Sequence, residues 1–142
     1  MNFVHKNRIT DGDLKLQNVL ITKTIDGTEV IKVTDFGCAR VAFKDEDGVL
    51  KTKYAIGTIT YMSPEQLRVY LTVNLKKPEL AKRATYAYNP FKSDVWAVGV
   101  CLYHMFFKSN PFKYDAKREP HCIVYAIKIL KDLTNHLPKD RA

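Results

Sequence analysis

The stretch Asp13-Leu14-Lys15-Leu16-Gln17-Asn18-Val19-Leu20 sets a carboxylate, an amine and an amide directly before a run rich in β-branched residues. Two such runs, 19–22 and 30–34, lie on either side of an Asp-Gly turn pair, a pattern that predicts a β-hairpin. Asn18 precedes the first run and Asp35 follows the second, so the hairpin would bring these residues together. Carboxylate and amide oxygens are the ligands that Mg²⁺ prefers. The stretch therefore predicts a magnesium site beside a short hairpin.

The composition is that of one ordinary globular domain. A chain of 142 residues with 46% hydrophobic content can bury a core. The cysteines Cys38, Cys101 and Cys122 are an odd, scattered set without Cys-x-x-Cys spacing, which indicates neither a disulfide framework nor a zinc site. We therefore expect an intracellular, cytoplasmic setting. No membrane segment is expected, because the longest apolar stretch, 95–107, is shorter than the roughly 20 residues of a membrane helix.

Helix signals dominate the second half of the chain. Ser63-Pro64-Glu65 combines a capping residue, a proline and an early acid, which predicts a helix start. Ser93-Asp94 is expected to cap a helix that is apolar nearly all round over 95–107 and therefore buried on all sides, with its end at Asn110-Pro111. Apolar spacing over 123–133 predicts a final amphipathic helix. The expected fold is mainly α with a small β-hairpin.

The long segment 38–60 shows no periodicity and is expected to be a surface loop of functional importance. Thr52 and Tyr54 within it are candidate phosphorylation sites.

The net charge of +8 could suit nucleic acid or an acidic partner. The densest basic group comprises Lys76, Lys77, Lys82 and Arg83. We interpret it as a solvated surface segment, because no aromatic-rich RNA-binding motif or zinc-finger spacing accompanies it. No nucleic-acid partner is expected.

Four motifs resemble those of eukaryotic-type serine/threonine protein kinases and occur in that family's order. Residues 13–20 resemble the catalytic loop, and Thr34-Asp35-Phe36-Gly37 resembles the D-F-G metal motif. Residues 57–65 are similar to the end of the activation segment, and residues 93–100 to the family's central helix. The resemblance covers roughly residues 3–130 and implies a protein-kinase-like C-terminal lobe.

The resemblance implies roles for the residues nearest the chemistry. Asp13 would accept the proton of a substrate serine or threonine hydroxyl, and Lys15 would contact the transferred phosphate. Thr58 would hydrogen-bond near both. Asn18 and Asp35 would hold the metal, so ATP and Mg²⁺ are the implied cofactors and a protein is the implied substrate.

Other residues would support this centre. Phe36 would pack to set the position of Asp35, and Gly37 would let the chain turn. Thr52 lies in the activation segment, and Glu65 would pair with an arginine of that family's later helices. Asp94 would brace the backbone of the catalytic loop.

The chain departs from the family pattern in three respects. The usual H-R-D is here Asp11-Gly12-Asp13, and Leu16 replaces the usual proline, changes expected to loosen the loop. No glycine-rich nucleotide loop is present in the sequence. We therefore expect residues 1–142 to form a partial kinase domain that lacks the N-terminal lobe and is inactive alone.

Simpler explanations exist for each residue taken singly. Asp13 or Asp94 could be a helix cap or a surface acid, and Asp35 a turn residue. A calcium loop is excluded, because Lys15 occupies the third ligand position. At the level of the chain, the alternatives to a kinase are a non-catalytic kinase-like interaction module and, more weakly, a basic nucleic-acid binder.

Overall fold

The structure is a computed structural model that describes residues 1–42, 51–81, 86–112 and 128–130. In chain order the helices and strands are α1 (Asn2–Lys6), β1 (Ile9–Thr10), β2 (Val19–Lys23), β3 (Glu29–Val33), β4 (Arg40–Val41), α2 (Pro64–Val69) and α3 (Pro90–Phe107). Short 3-10 turns cover Leu16–Asn18, Phe36–Cys38, Ile59–Tyr61 and Pro78–Ala81, and a π-helical turn covers Tyr70–Asn74.

The strands form two small antiparallel sheets. β2 and β3 are the predicted hairpin, with Val19 opposite Val33, and the backbone N–H of Thr34 donates to the Asn18 carbonyl (2.9 Å). This hydrogen bond continues the pairing of β2 with β3 to the end of the hairpin at which Asn18 and Asp35 lie. The second sheet, β1 with β4, was not predicted, because strands of two residues are too short to show an alternating pattern.

Helix α2 begins where the sequence predicts. Ser63 Oγ accepts from the Gln66 N–H (3.2 Å), and Pro64 occupies the first turn. Leu67 of α2 and Leu71 of the following turn are completely buried. They pack into a core shared with Met62, Ala81, Ile129 and Leu130.

Helix α3 starts earlier than predicted. Its cap is Asn89, whose Oδ1 accepts from the N–H groups of Phe91 (3.0 Å) and Lys92 (3.2 Å). The prediction that Ser93-Asp94 caps the helix is therefore wrong. Asparagine followed by proline is an equally strong start, and it lies one turn upstream. The helix ends at Phe107, before the predicted Asn110-Pro111, with Lys108 in a left-handed conformation (φ 53°).

Burial of α3 on all sides is also not observed. Ala97, Val100 and Cys101 pack against Leu14 and Tyr61, whereas other apolar side chains of α3 are exposed, Phe106 by 79%. Apolar residues all round a helix make its burial favourable, but burial also requires other segments that pack against each face of the helix.

Two further expectations concern particular segments. The predicted final helix 123–133 lies mostly outside the described residues; 128–130 are helical, and Ile129 and Leu130 are buried. Lys82 and Arg83 of the basic group also lie outside the described residues, while Lys76 and Lys77 are exposed. Within the described parts of the chain, no helix is long and apolar enough to cross a membrane.

Candidate active site

Asp13, Lys15 and Thr58 form a hydrogen-bonded group. Lys15 Nζ donates to Asp13 Oδ2 (2.6 Å) and to Thr58 Oγ1 (3.2 Å). The backbone N–H of Thr58 donates to Asp13 Oδ1 (2.6 Å). The bond to Asp13 raises the pKa of the Lys15 amine, so the amine stays charged. A carboxylate and a cation are thus held side by side, and each carboxylate oxygen of Asp13 is held by a hydrogen bond.

The local sequence explains why these side chains meet. Lys15 has an extended backbone (φ −154°, ψ 162°). In an extended segment alternate side chains point to the same side. Asp13 and Lys15 therefore face one way, while Leu14 between them faces the core and is only 4% exposed.

Asn18 and Asp35 lie at the hairpin end, as their flanking positions predict. Asn18 is buried and its Nδ2 donates to the Asp13 carbonyl (3.2 Å), which leaves its Oδ1 as the acceptor for a cation. Asp35 is exposed, with a left-handed backbone (φ 61°, ψ 70°), and its Oδ1 accepts from the Gly37 N–H (3.3 Å). Phe36 beside it is 45% exposed.

The side-chain oxygens of Asn18 and Asp35 are of the kind that could coordinate Mg²⁺. Within the described ranges, no group of three or more His, Cys, Asp or Glu side chains could hold a metal ion. Mg²⁺ characteristically takes one or two protein oxygens together with substrate phosphates and water. Asn18 and Asp35 offer such a donor pair. The charge of Asp35 also raises the pKa of Lys15, after the larger effect of Asp13, so these groups act on one another electrostatically.

Asp94 connects α3 with α1 and with the backbone of residues 11–12, just before the stretch that resembles the catalytic loop. Its buried carboxylate accepts from the backbone N–H groups of Asp11 (2.9 Å) and Gly12 (3.1 Å). The same carboxylate accepts from His5 Nε2 (2.9 Å), whose ring packs edge-on against Phe91. Sequence reasoning missed His5, since a single histidine far from any motif gives no pattern to detect.

Gly12 stands where the resemblance places an arginine, and its surroundings suit glycine. Its φ is +81°, and a Cβ there would lie 2.8 Å from the Cys38 carbonyl oxygen. A side chain at this position would be strained and would push against the backbone after the D-F-G motif. The lack of a side chain at Gly12 therefore allows its backbone to pack closely against the backbone at Cys38.

A buried polar cluster of Ser63, Gln66 and Ser93 supports the segment that carries Thr58. Ser93 Oγ lies 3.0 Å from Ser63 Oγ and donates to Gln66 Oε1 (2.5 Å). Gln66 Nε2 donates to the Ile56 carbonyl (2.8 Å). This cluster links α2 and α3 to the chain just before Gly57. Sequence reasoning did not identify Gln66, because nothing in the spacing indicated that a helix residue would hold a loop carbonyl.

The structure places Thr52 beside Tyr88 and Glu65 at the start of α2. Thr52 exchanges backbone hydrogen bonds with Tyr88 (2.8 and 3.0 Å), and its Oγ1 accepts from the Tyr54 N–H (3.1 Å). Glu65 is exposed in the first turn of α2. Thr52, Gly12 and Asp94 line the same cavity, which has a volume of about 490 Å³. The structure thus ties Thr52 to the segment before α3, while its phosphorylation remains a prediction.

Replacing Gly57 with alanine is expected to destabilise the chain by at least about 2 kcal/mol more than replacing Gly27. Both glycines have a positive φ (+121° and +84°), so both variants carry backbone strain. Only at Gly57 would the added Cβ overlap the Gly12 carbonyl oxygen and approach Asp13 Oδ1 (3.3 Å); at Gly27 nothing lies within 4 Å. Urea unfolding of both variants measures the difference. Equal losses would show that the contact between Gly57 and Gly12 is unimportant.

Sequence comparison relates the chain to known proteins. The family model described as "Protein kinase domain" matches residues 1–141. Calcium-dependent protein kinase 6 of Plasmodium berghei (strain Anka) is 37% identical over 117 residues, covering 82% of this chain and 6% of that protein. Serine/threonine-protein kinase ksp1 of Schizosaccharomyces pombe is 33% identical, covering 82% of this chain and 21% of that protein. Serine/threonine-protein kinase Nek4 of Mus musculus is 35% identical, covering 89% of this chain and 13% of that protein. The chain therefore spans 6% to 21% of the length of these relatives.

Proposed function

Because the chain belongs to the protein kinase domain family, we propose that it supplies the catalytic loop and activation segment of a serine/threonine kinase. The reaction is transfer of the γ-phosphate of Mg·ATP to a serine or threonine hydroxyl of a protein. Residues 1–142 would form the C-terminal lobe of that enzyme. The resemblance of the four motifs and their order along the chain support this assignment.

The observation that carries the proposal is the arrangement of Asp13, Lys15 and Thr58. The Asp13 carboxylate, held by Lys15 and by the Thr58 N–H, would accept the proton of the attacking hydroxyl, a general-base role. The hydroxyl oxygen forms the new bond to phosphorus while the bond to the bridging oxygen of ADP breaks. The charged Lys15 amine lies beside Asp13, where it can neutralise the transferred phosphoryl group. Positioning and charge, on which phosphoryl transfer depends, are thus combined in one group.

Asn18 and Asp35 would hold Mg²⁺ through their side-chain oxygens. A bound Mg²⁺ supplies positive charge to the phosphate oxygens during transfer. The left-handed backbone of Asp35 and its bond to the Gly37 N–H fix the carboxylate at the start of the activation segment. Phe36, in the same 3-10 turn, would govern whether Asp35 faces the metal.

The family resemblance also implies supporting roles. Asp94 would keep the catalytic loop in place, Glu65 would pair with an arginine elsewhere in the protein, and Thr52 would be a candidate phosphorylation site of the activation segment. An intracellular location is part of the proposal. Cys38 and Cys101, the cysteines among the described residues, are free thiols, as a reducing compartment would favour.

The test joins the chain to the nucleotide-binding lobe of a related kinase and measures transfer of labelled phosphate from Mg·ATP to a protein substrate. Asp35→Ala should abolish transfer, because it removes a metal ligand, whereas Lys76→Ala on the exposed segment after α2 should leave it unchanged. Equal losses in both variants would show that the metal site is misassigned. Nucleotide binding without transfer in the parent would favour the interaction module instead.

A further inference from the structure

Asp11 is a buried acid that the catalytic roles above do not use. Its residue is 0% exposed. Its Oδ1 accepts from the backbone N–H of Asp13 (3.0 Å). Its Oδ2 is buried as well, and no hydrogen-bond partner reaches that oxygen within the described ranges. An ionised carboxylate oxygen without water or a donor is costly, and such groups usually take up a proton instead.

The surroundings of Asp11 are rich in negative charge. Asp94 on α3, Asp13 in the same loop and Asp35 interact electrostatically with Asp11, and Asp11 in turn interacts with Cys101 on α3. The nearby basic side chains are already engaged, Lys15 with Asp13 and His5 with Asp94. Burial is the main effect that raises the pKa of Asp11; the N–H of Asp13 opposes it, and the acidic neighbours reinforce it.

The backbone contacts show what the acid does. The N–H groups of Asp11, Gly12 and Asp13 follow one another along the catalytic loop. Asp94 accepts from the first two, and Asp11 itself accepts from the third. Two buried carboxyl groups therefore hold three consecutive N–H groups. Both acids in ionised form would repel each other across the loop that they fix.

We propose that Asp11 is a positioning residue that holds the backbone of Asp13, and that its buried carboxyl group keeps its proton to higher pH than the exposed carboxyl groups of the chain. Oδ1 accepts from the Asp13 N–H, and Oδ2 carries the proton. That this arrangement serves catalysis rests on the proposed function, because Asp13 is the base only if the chain is a kinase. The protonation state itself does not depend on the reaction.

The first experiment compares the pH dependence of stability in the parent and in Asp11→Asn. A raised pKa means that the folded chain keeps a proton that the unfolded chain releases, so this acid costs stability as pH rises above its unfolded pKa. Asparagine imitates the neutral acid and keeps the acceptor for Asp13. The urea midpoint of Asp11→Asn should exceed that of the parent at about pH 7, and the gap should close towards about pH 4.

Asp26→Asn is the matched control. Hydrogen bonds from Thr24 and Thr28 lower the pKa of this exposed acid, so the same substitution should produce the opposite trend. The midpoint of Asp26→Asn should fall relative to the parent as pH rises. A gap for Asp11→Asn that fails to widen with pH, or widens in the sense of Asp26→Asn, would overturn the proposal.

A second measurement does not depend on the folding of any variant. Carbon-13 labelling of aspartate in the parent lets NMR follow each side-chain carboxyl carbon with pH. The Asp11 carbon should keep the shift of a protonated acid at pH values where Asp26 is fully ionised. If Asp11 titrates together with Asp26 or below it, the proposal is wrong. Failure of phosphoryl transfer would count against the proposed function and would leave both of these results unaffected.

Discussion

Asp13→Asn is expected to lower kcat by about 10²- to 10⁴-fold in the chain joined to a nucleotide-binding lobe. The amide has no basicity with which to take the hydroxyl proton. The substitution also removes the negative charge that lies beside Lys15, where Nζ is 2.6 Å from Asp13 Oδ2 in the parent, so the net charge of the site changes as well. The side-chain oxygen of asparagine can still accept from the Thr58 N–H, which should preserve the fold. Steady-state kinetics at saturating Mg·ATP and substrate measure the loss.

The control for this substitution is Asp26→Asn, the same chemical change in the exposed hairpin turn. It should turn over at the parent rate. Urea unfolding of Asp13→Asn separates a chemical effect from a structural one. A loss below about tenfold in a fully folded Asp13→Asn protein would mean that Asp13 is not the base.

Asp94→Ala is expected to reduce the free energy of unfolding by about 3–5 kcal/mol. The substitution leaves the backbone N–H groups of Asp11 and Gly12 without their acceptor and removes the partner of His5. Asp94 is only 3% exposed, so water cannot readily replace the lost oxygens. Denaturant unfolding of the chain gives the value directly, with no need for activity.

Two variants define the origin of this effect. Asp94→Asn keeps one carbonyl oxygen as an acceptor and should lose less than Asp94→Ala. Asp26→Ala removes an exposed acid and should cost far less than either. If Asp94→Ala and Asp26→Ala are equally stable, Asp94 does not brace the loop.

Several elements were predictable because their determinants are local. The hairpin follows from β-branched runs around a turn, and its strands are found at Val19–Lys23 and Glu29–Val33. The start of α2 follows from Ser63 and Pro64, which act within one turn of the backbone. The start of α3 was misplaced because two capping pairs, Asn89-Pro90 and Ser93-Asp94, compete within one turn. Local preference could not decide between them.

The tertiary structure decides that competition. Ser93 and Asp94 are both buried, and their side chains are engaged by Gln66 and by the catalytic loop, so they are unavailable to cap a helix. Asn89 takes the cap instead. These bonds join residues far apart in sequence, which no local pattern can reveal.

The sequence by itself determined the family and the order of the chemical groups along the chain, because motif spacing is a property of the covalent chain. Only the tertiary structure decided what these groups touch. Asp11, which the sequence presented merely as a substitute for a histidine, becomes a buried acceptor for the Asp13 N–H. His5 becomes a partner of Asp94. Burial and long-range hydrogen bonding set the charge and the position of such groups, and both arise only when distant segments pack together.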